Sequence, residues 1–591
     1  MPYHPIADYG IIGNLHTTAL VSLRGSIDFL CLPRFDSPTV FASILDDQKG
    51  GSFTFTGLDK DTNYKQLYLP GTNILLTRFL SKDGIAEVTD FMPIAENKED
   101  FAIFRRLKGV HGSHTFNVEI NPAFDYARSG CKAEKREDGT GYTLHDPSGQ
   151  QPSIVVLTDA ELEITDTGLA GEIKLFAEQD VDFILTLESG KQYKNNFFHY
   201  FNKTREYWMK WSSRCTYNGR WKESVHRSAL ALKLLTSAEF GSTVAAATFG
   251  LPEVVGGERN WDYRFTWIRD SAFTMYAFLR LGYREEAEGF IEWIQKQCME
   301  ELQLMYGIDG ATELTEISLD HLEGYKKSQP VRIGNGAFDQ KQMDIYGELI
   351  DTIYLYDQAG GSITNQFWVG ISGLVEYVIE HWKDKDHGIW EVRSGKQRFL
   401  HSAVCCWVAI DRAMKIAEAR SLPHPRSEWR KVRDEIHADI FENFWNEDLQ
   451  SYAQFEGSDT VDASALLMPL LRFVSSKEPR WLKTLEAIEN QLLADVLVFR
   501  YKNEGGSADG LEGEEASFTI CSFWYAECLA RIGRVDEATL VMQKLLGYGN
   551  HLGLFSEEIG IHGEQLGNFP QAFSHLSLIS AAFQIDKKEN R

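Results

Sequence analysis

Over roughly the first 195 positions apolar and polar residues alternate in short runs, and beyond about 222 the spacing changes to that of helices. The early runs fall at 52–55, 74–80, 102–107, 116–120, 153–157 and 181–187, separated by clusters of Gly, Asp, Asn and Lys. A period of two places one face of a strand in a core and the other in solvent, and turn residues at this spacing are those of a sandwich. Residues 1–195 are therefore predicted to form a β-sandwich. The aromatic and basic stretch 196–222 is predicted to be a helical linker packed between domains.

From 223 to 591 apolar positions recur every three and four residues. Helices are predicted near 224–237, 266–281, 284–298, 340–357, 364–382, 400–419, 426–445, 462–472, 480–493, 517–532, 535–547 and 572–585. Segments 266–281, 400–419, 517–532 and 572–585 are apolar nearly all round, whereas 284–298, 426–445 and 480–493 carry charge on one face. A helix of the first kind must be buried on every side, and one of the second kind on one side only. Two concentric rings, an (α/α)6 barrel, satisfy both. Six hairpins stacked in an open solenoid would give the same periodicity, and no fixed repeat separates the two.

At 591 residues the chain exceeds what one core usually fills, in keeping with two domains. Hydrophobic residues at 43% and charged residues at 25% exclude a disordered or fibrous chain. A formal charge of −25 without any cluster of Lys and Arg excludes a nucleic-acid surface and favours a neutral or cationic small ligand. The opening Met1–Asp8 has no basic segment leading into an apolar run, and no later stretch is long and apolar enough to span a bilayer, so no membrane partner and a cytoplasmic location are expected. The eight cysteines do not spell a disulfide framework, because Cys405 and Cys406 are adjacent and Cys521 and Cys528 sit at helical spacing in apolar surroundings. Paired Cys-x-x-Cys elements and a His-Glu-x-x-His run are both missing, so neither metal nor cofactor is expected.

Four stretches set polar groups among Gly and aromatic residues. The first, 251–270, ends in Trp267-Ile268-Arg269-Asp270. Arg269 and Asp270 could donate to and accept from sugar hydroxyls with Trp267 stacking, or could form a buried network bracing the two domains. The second, 386–393, carries Trp390 and Glu391. A carboxyl flanked by Trp and aliphatic side chains is poorly solvated and holds its proton near neutrality, as a general acid must; pairing with Arg393 on a surface loop is the alternative. The third, 553–575, holds the adjacent Glu557 and Glu558, which could supply a base and an orienting acceptor or simply solvate a loop. The fourth, 509–518, includes Glu515; acidic residues there also suit a helix N-terminus for dipole reasons alone.

These stretches, in this order, resemble a known family. The opening 5–14 and 26–38 is similar to the trehalase-like N-terminal domain, and 256–270, 344–348, 386–393, 462–464, 509–518 and 551–575 are similar to the catalytic domain of glycoside hydrolase family 15, which contains glucoamylases and trehalases. The resemblance implies a β-sandwich followed by an (α/α)6 barrel, no metal, and exo-cleavage with inversion. By motif position it carries the general acid onto Glu391 and the general base onto Glu557. It places Trp267, Arg269, Asp270, Trp390, Glu515 and Glu558 at the substrate, with Glu558 also one residue from the base position.

The first expectation for activity is glucoamylase-like release of glucose from short, soluble α-gluco-oligosaccharides. Trehalase action on the α,α-1,1 link is the second, since both use the same carboxyl groups. A non-catalytic sugar-binding protein on the same scaffold would have no need of both carboxylates. A phosphorylase would need no carboxylate at 557.

Overall fold

One strand of 20 residues, Ala102–Asn121, runs through both layers of the N-terminal domain. The computed structural model describes residues 3–191, 193, 196–297, 302–502, 510 and 515–589. In it the first half of this strand pairs with Gly84–Phe91 and Asp180–Leu187, and the second half with Ser52–Gly57 and Leu169–Phe176. The sequence pattern separates 102–107 from 116–120; the structure joins them and bends the strand between. Gly112 sits at φ +61°, and a Cβ there would lie 2.1 Å from the Asp83 carbonyl oxygen, so the bend requires glycine.

The bend carries the strand from one sheet to the other, and the sheets face each other through aromatic rings. Phe53 meets Phe183 at 5.7 Å and Phe79 meets Phe116 at 5.1 Å between ring centres. Arg105, fully buried in this layer, donates to both Asp90 carboxylate oxygens and to the Phe53 carbonyl. Its charge is thereby paired and hydrogen-bonded, the condition for burying it.

Strands Tyr9–Gly13, Thr18–Ser22 and Ile27–Cys31 form a meander in which every residue is buried. They escape the alternation rule because neither face is solvated. The barrel covers them: a Cβ on Gly13 would touch Leu234 at 3.0 Å, and one on Gly10 would touch Leu552 at 2.8 Å. The helix Phe197–Ser212 braces the junction. Its Phe197, Tyr200 and Phe201 pack on Phe91 and Phe104 of the sandwich, and Trp211 stacks on Tyr283 of the barrel at 4.0 Å.

Among the described residues, the C-terminal half alternates outer and inner helices. The inner set is Ile268–Leu281, Asp344–Gln358, Leu400–Arg420, the short Ala463–Leu466 and Leu467–Leu470 pair, Thr519–Ile532 and Ala572–Glu589. Each touches the next, and Ala572–Glu589 packs back on Ile268–Leu281, so the ring closes and the open solenoid is ruled out. Of the outer set, Arg284–Lys296, Asn365–His381, Arg426–Asn443, Pro479–Gln491 and Val535–Leu546 bury one face, whereas Lys222–Leu234, packed on the sandwich as well, is buried all round over Ser228–Leu232. The helix expected over 462–472 is instead a 3-10 turn followed by one helical turn. Pro469 supplies no amide hydrogen, and Arg472 at φ +61° ends the run. The seven cysteines among the described residues are free thiols, and no described helix is long and apolar enough to cross a membrane.

Candidate active site

The loops that lead into the inner helices converge at one end of the ring and line a cleft enclosing roughly 750 Å³, mouth included. The extended segment 261–267 forms one wall, and its two faces do different work. Trp261, Tyr263 and Trp267 line the cleft, while Asp262 and Arg264 between them point to the sandwich. Arg264 donates to both Asp262 carboxylate oxygens, to the Ser37 carbonyl and to the Tyr126 hydroxyl, and lies 4.3 Å over the Phe249 ring. The Arg–Asp brace between domains thus exists, but it is made by Asp262 and Arg264. Arg269 and Asp270, at the start of the Ile268–Leu281 helix, line the cleft.

Glu391 is presented on a tight turn in which its own amide donates to the Gly388 carbonyl. Its φ of +58° is costly for a residue with a Cβ, about 1–2 kcal/mol, and such strain persists where the surroundings over-determine it. Those surroundings are polar, contrary to the apolar niche expected from Trp390 and its aliphatic neighbours. The Trp267 indole N–H donates to Glu391 Oε1 at 2.8 Å and Arg269 Nη2 to the same oxygen at 3.2 Å. Arg269 Nη1 is held by the Ile389 carbonyl at 2.7 Å. Trp390 turns its indole N–H to both oxygens of Asp462. Arg393 does not pair with Glu391; it meets Glu316 at 3.6 Å and lies over the Trp261 ring.

Glu557 is anchored by its backbone between two elements: its amide donates to the Asn568 carbonyl, and its carbonyl accepts from Thr519 at the head of an inner helix. The Tyr263 hydroxyl donates to Oε1 at 2.7 Å and the Asn568 amide to Oε2 at 3.3 Å. Gly567, at φ +71°, leaves room for this carboxylate, since a Cβ there would stand 2.5 Å from Oε2. Glu557 is only 1% exposed and is not itself in the cleft wall; Tyr263 connects it to the cleft. Tyr263 and Trp267 touch edge to face at 5.4 Å, so the two candidate carboxyl groups hang from one aromatic pair. Burial, aided by the Glu253 charge and opposed by Tyr263 and Arg500, pushes Glu557 up to about 8.

Behind Glu557 lies a buried ionic network. Arg500 donates to Glu515 at 2.9 Å, to Glu253 at 3.0 Å and to Glu558 at 3.3 Å, and Arg259 to Glu515 at 2.6 Å. Two guanidinium groups therefore serve three carboxyl groups, and Glu253 and Glu558 are both raised, burial being the larger cause. Glu515 and Glu558, expected at the substrate, face these arginines and are not in the cleft wall. Asp509 and residues 511–514 of the same acidic stretch lie outside the described residues. Trp267, expected to stack on sugar, is 2% exposed and spends its indole N–H on Glu391. Asp270 keeps one carboxylate oxygen without a hydrogen bond, and burial, against Arg269, pushes it up to about 7.

Glu253, Tyr263 and Arg500 join the site without being singled out by the sequence pattern. For Arg500 one signal was present: a lone Arg after Leu497-Val498-Phe499 must find a buried partner.

A closed (α/α)6 ring with Glu391 in its cleft wall and Glu557 held behind Tyr263 is an architecture on which acid–base hydrolysis of a glycoside can be built. Residues 219–583 match glycosyl hydrolases family 15, and residues 2–207 match the trehalase-like N-terminal domain. Similar proteins include the trehalase of Thermoplasma volcanium, 36% identical over 99% of this chain and 94% of that protein, and the trehalase of Mycobacterium tuberculosis, 35% identical over 100% and 90%. A bacterial glucoamylase complexed with acarbose has a similar fold, with a TM-score of 0.73 at 12% identity over 99% of this chain and 94% of that one. The chain belongs to glycosyl hydrolases family 15.

Proposed function

We propose that the protein is an inverting α,α-trehalase that hydrolyses trehalose to two glucose molecules, with Glu391 as general acid and Glu557 as general base. The observation that carries trehalose over a malto-oligosaccharide is the whole-length similarity to trehalases at 35–36% identity. The glucoamylase-like activity first expected from sequence gives way to the second expectation.

In this reading Glu391 gives its proton to the bridging oxygen as the bond from that oxygen to C1 breaks. Arg269 and Trp267 hold Glu391 in place and stabilise the carboxylate left behind. A water on the opposite face of C1 loses a proton toward Glu557 while its oxygen forms the new bond, and the configuration at C1 inverts from α to β. The Tyr263 hydroxyl, in the cleft wall and donating to Glu557, orients the base. Asp270, in the cleft wall and ion-paired through Oδ2 with Arg269 at 3.5 Å, accepts from a sugar hydroxyl.

Proton NMR of the first turnovers tests both parts. Inversion at one centre of trehalose releases β- and α-glucose in equal amounts, whereas retention releases α-glucose alone. A kcat/KM on maltose, isomaltose or soluble starch above that on trehalose would overturn the substrate assignment.

A further inference from the structure

Within reach of the Arg269 charge, between two neighbouring inner helices, lies a second polar cluster that the hydrolytic mechanism leaves unused. Asp344 and Glu348 stand one turn apart on one inner helix, and His401 and Cys405 one turn apart on the next. The helices meet where Gly347 lies against Cys405. A Cβ on Gly347 would fall 2.2 Å from the Cys405 carbonyl oxygen, so glycine permits the approach that turns both pairs toward each other. All four side chains are at most 3% exposed. Around His401 Nε2 lie Glu348 Oε1 at 3.2 Å, Cys405 Sγ at 3.5 Å and Asp344 Oδ2 at 3.9 Å.

Asp344 has no hydrogen-bond partner on either carboxylate oxygen, and Glu348 has none on Oε2. Leaving such oxygens bare in an interior is expensive. Arg269 is the cation whose field reaches them, and it is already shared with Asp270 and Glu391. The cluster therefore has more carboxyl groups than cations to pair them, and three carboxyl oxygens without a hydrogen-bond partner beside His401 and Cys405.

From this geometry we infer that Glu348, His401 and Cys405, whose donor atoms all lie within 4.8 Å of one another, hold a divalent cation, with Asp344, 3.9 Å from His401 Nε2, closing in as the fourth ligand and zinc as the ion their chemistry suits. Tetrahedral zinc with bonds of about 2.0–2.3 Å has ligand-to-ligand edges of about 3.3–3.7 Å, close to the three separations around His401 Nε2. A thiolate, an imidazole and two carboxylates are a donor set for zinc rather than for magnesium or calcium, which take oxygen alone. Burial pushes His401 below its ordinary value, in the direction of the neutral imidazole that ligates. The two charges on the ion offset two of the three carried by the carboxylates and the thiolate, and the field of Arg269 reaches the remainder. A second cleft of roughly 850 Å³, lined by residues from all six inner positions and including Glu348, gives the cation a route from the opposite end of the barrel.

The site is structural in this reading: it fixes the layer on which Arg269 and Asp270 rest. Two protons are the competing occupants of the same charges, and metal analysis separates them. The full-length protein is produced in zinc-supplemented medium, so that the ion enters during folding, and is then dialysed and its metal measured by mass spectrometry. One zinc per chain is expected in the wild type and in Cys131→Ser, a cysteine outside the cluster. Little is expected in the near-isosteric Cys405→Ser and Asp344→Asn. Protein produced with cobalt should show a thiolate-to-cobalt charge-transfer band that Cys405→Ser lacks. Wild-type protein without stoichiometric metal, or equal metal in Cys405→Ser and wild type, would overturn the site.

Discussion

Removing the Tyr263 hydroxyl deletes a hydrogen bond that joins Glu557 to the cleft. Tyr263→Phe keeps the ring and its contact with Trp267 but deletes the 2.7 Å hydrogen bond to Glu557 Oε1. Hydrogen bonds to a charged group contribute about 1.5–3 kcal/mol, which corresponds to about one to two pKa units at about 1.4 kcal/mol each. The bond favours the ionised form, so its loss raises further a carboxyl that burial already pushes up to about 8. A base must be ionised to act, and activity falls as pH drops below its pKa. The acid limb of kcat/KM should therefore move up by about one to two units. At pH 7 the variant should lose about 10- to 100-fold and recover much of that toward pH 9. The assay is kcat/KM on trehalose from pH 5 to 9.5, with a thermal melt at each pH to exclude unfolding. A uniform loss with the acid limb unmoved would refute the role of Tyr263 in setting the base.

Glu253→Gln should move the same limb the other way, because the Glu253 charge adds to burial in raising Glu557; the pH profile of kcat/KM shows it. Glu391→Gln should lower kcat by several orders of magnitude while sugar binding, followed by calorimetry, changes little. Arg264→Met leaves Asp262 buried without its partner and should cost about 3–5 kcal/mol in denaturant unfolding. In metal-free protein, burial and Glu348 raise Asp344 to about 7, so the folded chain holds a proton that the unfolded chain has released. Stability should then be fullest below about pH 4 and fall as pH rises through about 7, and Asp344→Asn should flatten that slope in scanning calorimetry.

What could be read from the sequence follows from where polar faces exist. Inner helices such as Thr519–Ile532 are buried all round and announce themselves as a run of apolar residues, and amphipathic outer helices announce themselves by period. Ring closure was not legible, because it depends on contact between Ile268–Leu281 and Ala572–Glu589 at opposite ends of the barrel sequence. The strands between Tyr9 and Cys31 were legible only as a motif, since burial on both faces erases alternation. At the site, residue type could not assign direction. Asp262–Arg264 and Arg269–Asp270 offer the same chemistry within nine positions, yet one pair seals the domain interface and the other faces the cleft. Glu558 lies next to Glu557 in sequence, and the chain sends it to Arg500 while Glu557 meets Tyr263.

The two-faced segment 261–267 has a mechanical consequence. A single extended stretch cannot shift its cleft side without shifting its back, and its back is bolted to Ser37 and Tyr126 of the sandwich through Arg264. The sandwich acts as the mould against which half of the cleft is cast, although none of its residues lines the cleft. Exchange of this N-terminal half for a distant relative's would be tolerated only if the sockets for Arg264 came with it. A barrel deprived of them would keep its helices and lose the alignment of Tyr263 with Trp267, turning a domain boundary into a determinant of turnover.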